Sequence, residues 1–111
     1  MSRHLEVHVT AANSAEAEQI VNAVVEGRVA AGAQISGPIV STYWWKGEIH
    51  RDEEFLLLMK TTSDRLEELI EVVRGVHSYE TPEIVAVPIE GGLGDYLAWI
   101  TEETAASRSV G

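Results

Sequence analysis

The stretch Tyr43-Trp44-Trp45-Lys46-Gly47-Glu48-Ile49 decides how this chain folds. Two of its three tryptophans stand side by side, directly before a Lys-Gly pair. A β-branched and aromatic run, 39–45, precedes the pair, and an apolar run, 55–59, follows it. This pattern predicts a β-hairpin closed by a two-residue turn. Tryptophans at a hairpin tip are costly to leave in water, so a covering surface is expected.

Outward from the hairpin the chain reads as two similar halves. Leu5, Val7 and Val9 alternate with polar residues, which predicts a first strand with one apolar face. Asn13 with Glu16 three residues on forms a capping box for a helix carrying Ala17, Ile20, Val21, Val24 and Ala31 on one side. Gly32 is the expected stop of that helix. The second strand, 34–45, is interrupted by Gly37-Pro38, which predicts a bulge or an edge position. The third strand, 48–61, is charged in its outer part and apolar on both faces in its inner part. Ser63 or Asp64 is expected to cap a second helix built on Leu66, Leu69, Ile70, Val73 and Val76. A loop at 77–82, a fourth strand at 83–89 and a short helix opened by Asp95 complete the order.

This βαββαβ order with a C-terminal helix predicts an α+β, ferredoxin-like sandwich on a four-stranded antiparallel sheet with a long central hairpin. Right-handed crossovers place both main helices on one sheet face and leave the other bare. Hairpin arms of roughly ten residues reach ~34 Å, against a radius of gyration of about 13 Å for a compact chain of this length. The tip should therefore project. Neighbouring copies of the chain are expected to cover it, with Tyr43, Trp44 and Trp45 at the interface.

The 111 residues suffice for one domain, expected at 1–104, with a frayed tail at 105–111. A net charge of −10 argues against nucleic acid and anionic membrane as partners. No cysteine is present, so disulfides and thiolate metal sites are excluded. No apolar run of signal-peptide or membrane-span length occurs, and a cytoplasmic protein is expected.

Tyr43-Trp44-Trp45-Lys46-Gly47-Glu48-Ile49, Asp52-Glu53-Glu54, Lys60-Thr61, His77-Ser78-Tyr79-Glu80-Thr81-Pro82-Glu83-Ile84 and Asp95-Tyr96-Leu97-Ala98-Trp99-Ile100 together resemble the CutA divalent-cation tolerance proteins, in order and in spacing. The resemblance implies a ferredoxin-like homotrimer akin in assembly to the PII signalling proteins, acting in tolerance of divalent metal ions such as copper. Two positions depart from the family pattern: Gly32 stands where cysteine is frequent, and Ser78 where proline is usual. Without thiolate, imidazole and carboxylate ligands favour Cu(II), Zn or Ni over Cu(I).

His77 with Glu80 is the candidate metal pair. Trp45, Lys60, Thr61, Tyr79 and Pro82 are the expected lining of a cleft between copies. The alternative for 77–82 is a turn that merely shapes a subunit contact. His4, Glu6 and His8 read as a polar strand face, and Asp52-Glu53-Glu54 as a solvated acidic run. No nucleophile–base pair is legible, so a non-catalytic protein is expected. The other readings are a PII-like signalling module binding a small ligand in the clefts and a cofactor-free enzyme on a small substrate, with Lys60 and Tyr79 as its acid–base candidates.

Overall fold

The structure is a computed structural model, and it describes residues 3–105. The expected tail beyond Ala105 lies outside the described residues. Four strands and three helices follow one another: β1 (His4–Ala11), α1 (Ser14–Glu26), β2 (Gly32–Trp45), β3 (Glu48–Thr62), α2 (Leu66–Val76), β4 (Ile84–Pro88) and α3 (Gly94–Glu103). The strands form one antiparallel sheet in the order β2-β3-β1-β4, as the ferredoxin-like reading requires.

Register explains the division of the two faces. Val7 stands opposite Met59 and Ala86, and Val9 opposite Leu57 and Ile84. These side chains meet Ala17, Ile20 and Val24 of α1 and Leu69 and Val73 of α2 in one dry core. Their neighbours one residue along, Glu6, His8, Leu58, Lys60, Val85 and Val87, turn to the opposite face. Helix α3 reaches this second face at one end, where His4 Nε2 lies 2.9 Å from Thr101 Oγ1. Val85 and Val87 stay 50% and 42% exposed there, so α3 does not close the face.

The hairpin projects. β1 pairs only with 55–62 of β3, so among the described residues 48–54 has β2 as its sole strand partner. That arm extends about 24 Å past the sheet, and the longest dimension of the molecule is 43 Å. Lys46 (φ 50°) and Gly47 (φ 82°) form the two-residue turn, both in the left-handed region. Lysine there carries a Cβ in a conformation that favours glycine, and the matching twist of the strands repays it. Gly37-Pro38 is both things expected of it: a register shift lies between Ser36 and Ile39, and β2 is an edge strand.

Two helix boundaries differ from the sequence reading. α1 ends at Glu26, with Gly27 as its cap, rather than near Ala31. Arg28 (φ 57°) reverses the chain, and Val29 and Ala30 both donate to the Val24 carbonyl. Val29 and Ala30 are buried, so an apolar pattern persisted where the helix had stopped. Gly32 accordingly opens β2 instead of ending α1. α2 is preceded by a 3-10 turn, Ser63–Arg65, and neither segment has a side-chain cap. Ser63 Oγ instead accepts from the Arg3 amide at 2.9 Å, tying the helix entry to β1. The Asn13 cap is as expected: its Oδ1 accepts from the Glu16 amide at 2.8 Å.

Candidate functional site

A cleft of about 650 Å³ opens between the projecting arm and the loop that follows α2. Period-two alternation aims Tyr43 and Trp45 of the arm into it, together with Glu54 of β3. Tyr79, Glu80 and Glu83 supply the loop wall. Trp44 points the other way, 70% exposed, in a row with Val40 and Ile49.

The loop is held from behind by His77. Its side chain is completely enclosed, although its backbone is not. Nε2 donates to the Thr10 carbonyl at 2.7 Å, and Nδ1 accepts from the Tyr79 amide at 3.1 Å. A carbonyl can only accept and an amide can only donate, so the partners dictate the tautomer. Glu16 adds a second tie: its two carboxylate oxygens accept from the Ala12 and Ser78 amides at 3.3 and 3.1 Å.

In the cleft itself, Tyr79 donates to Glu54 at 2.7 Å. Burial first, and then that carboxylate, push the Tyr79 phenol well above its ordinary value, so it stays protonated. The Tyr43 hydroxyl donates to Asp52, which raises its own pKa. Lys46 lies 3.7 Å from Glu80 at the rim and 5.5 Å from the Trp45 ring, joining the hairpin tip to the loop.

The expected metal pair is not brought together. Both His77 nitrogens are occupied inside the chain, so no lone pair is left for a metal. The Glu80 side chain is 74% exposed and turned to Lys46. Among the described residues no group of three His, Cys, Asp or Glu converges to hold an ion. The cleft residues divide likewise. Trp45 and Tyr79 line it, while Pro82 is half-buried outside its lining.

Lys60 and Thr61 lie at the far end of β3, beside β1's start, because the loop meets β1 at Thr10. Lys60 Nζ pairs with Glu6 at 3.1 Å, and Glu6 in turn with His8 at 2.8 Å. The His8 bond, then Lys60, hold the Glu6 carboxyl below its usual value. Thr61 faces the core, where its hydroxyl donates to the Val29 carbonyl at 2.7 Å. The sequence reading missed Glu54 as a site residue, having taken 52–54 as solvated. The available signal was alternation, which puts Asp52 and Glu54 on one face and Glu53 on the other.

The Glu16 ties predict an acid sensitivity. Burial pushes the Glu16 carboxyl up, but its bonds to Ser78 and Ala12 outweigh that and hold it below its usual value. A lowered folded value means stability that is present above the unfolded value and lost as pH falls through the folded one. Urea midpoints should therefore drop as pH is lowered from about 5 to about 3. Glu16→Gln should flatten that drop; an unchanged pH profile would refute the assignment.

A βαββαβ sandwich with an overlong central hairpin and an acidic, aromatic cleft along it defines the class of protein. The chain matches the family described as CutA1 divalent ion tolerance protein over residues 5–103, and it belongs to that family. It is 41% identical over 99 residues to the divalent-cation tolerance protein CutA of Archaeoglobus fulgidus, covering 89% of this chain and 96% of that one. It is 42% identical over 103 residues to Protein CutA of Mus musculus, covering 93% of this chain but only 58% of the mouse protein. The solved Cut A1 structure from Thermus thermophilus superposes with a TM-score of 0.90 at 41% identity, over 92% of this chain and 99% of that one.

Proposed function

We propose that the chain acts as a homotrimer in tolerance of divalent metal ions, copper foremost, and without catalysis. The observation that carries this reading is the match, 41% identical over nearly the full length of both chains, to the Archaeoglobus protein, which bears the name divalent-cation tolerance protein. The metal role rests on that kinship. The assembly has separate support in the exposed apolar row Val40, Trp44 and Ile49 on the arm, and in Val85 and Val87 on the open sheet face. Further copies of the chain are the occupants that the arm's reach favours.

Light scattering is expected to return three times the chain mass. Trp44→Ser combined with Ile49→Ser should reduce it to the single-chain mass, and a monomeric unaltered protein would defeat the assembly. The same reading keeps the protein in the cytoplasm. Among the described residues no helix is long and apolar enough to cross a membrane. The Archaeoglobus structure is described as a periplasmic protein, and cell fractionation separates the two compartments.

The cleft favours a second reading, a signalling module that binds a small ligand between arm and loop. The enzyme reading has less support: Tyr79 is held protonated, and Lys60 sits at the other end of the sheet.

A further inference from the structure

We propose that the cleft binds a primary ammonium carried on a small apolar body. The inference rests on the small-ligand reading and is independent of metal tolerance.

Glu54 carries the argument. It is only 5% exposed, and it lines the cleft. Oε2 accepts the Tyr79 hydroxyl, while no hydrogen bond within the described residues reaches Oε1. Nor is Oε1 among the sealed, partnerless polar atoms of the described interior, and Glu54 lines the cleft, which leaves this oxygen reachable from it. A carboxylate on a nearly buried residue, with one oxygen that no protein donor reaches, gains from a ligand that supplies a charged N–H.

The rest of the lining narrows the ligand's class. Glu54, Glu80 and Glu83 are its charged members, and the one cation beside them is Lys46 at the rim, which pairs with Glu80 and leaves Glu54 and Glu83 uncompensated among the described lining residues. An anion would meet net repulsion. The carboxylates do not converge as three ligands, so a bare divalent ion is poorly held. The rings of Tyr43, Trp45 and Tyr79 offer apolar walls and π faces to the carbon skeleton and its charge. An ammonium on a short alkyl chain answers both features, and 650 Å³ admits it.

The test is calorimetric titration of the full chain with n-butylammonium, butan-1-ol and butanoate. Butylammonium is expected to bind at least roughly tenfold more tightly than butan-1-ol, with butanoate not binding. Glu54→Gln keeps an acceptor for Tyr79 and should weaken butylammonium binding by roughly tenfold or more. The ligand series on the unaltered chain decides the matter even where that variant fails to fold. Equal binding of butan-1-ol or butanoate would overturn the ammonium class while sparing the small-ligand reading. Undiminished binding by folded Glu54→Gln would overturn the site. No heat from any of the three at about 10 mM, a concentration that saturates even a millimolar site, would overturn the ammonium proposal.

Discussion

Replacing His77 with alanine is expected to lower the unfolding free energy by about 3 kcal/mol, and by the same amount in excess EDTA. The ring is enclosed and makes two bonds of opposite sense, one to β1 and one to the loop. Its removal leaves the Thr10 carbonyl and the Tyr79 amide without these partners and opens a void between them. Each lost bond contributes about 1 kcal/mol, and the unfilled space and stranded polar groups supply the rest. Equilibrium urea unfolding at fixed protein concentration, with EDTA and with added Zn(II), is the measurement. A loss that appears only when Zn(II) is present would restore the ring to the role of metal ligand. The Tyr79 ring lies 4.8 Å from that of His77, so Tyr79 should also lose its fixed position over Glu54.

The second large effect concerns the two faces of β3. Leu57→Ala is expected to cost about 3 kcal/mol, within the roughly 2–5 kcal/mol span of buried leucine truncations. Leu57 is fully buried between Val9 on one side and the helices on the other. Val87→Ala, on the open face of β4, should leave the stability of a dissociated chain within about 0.5 kcal/mol. Its effect should appear instead in the protein concentration at which the proposed assembly falls apart. Equal losses from both variants in urea would contradict the division into a dry face and the proposed intersubunit face.

Much of this architecture was legible residue by residue. Alternation in β1, the 3.6-residue spacing in α1 and α2, and the Lys46-Gly47 pair each express a local preference that tertiary contacts reinforce. The errors came where one local pattern fits two backbones. Val29 and Ala30 continue the apolar spacing of α1, yet they reach the core through a turn at Gly27 and Arg28. Lys60 and Thr61 looked close to the loop because both lie at ends of elements. Only the register of β3 against β1 shows that they occupy opposite ends of the sheet.

Element order, the antiparallel sheet, the projecting hairpin and the family could all be read from the residues, because they follow from spacing, turn chemistry and motif order. What the site residues do emerged only from the folded chain. His77 had the chemistry of a ligand, but the fold spends both its nitrogens on backbone partners 67 and two residues away in the chain. Glu54 looked like one member of a solvated acidic run, but Tyr79, 25 residues on, folds over it and leaves one oxygen facing the cleft. A side chain's type limits which bonds it can make; its partners, distant in the chain, select among them.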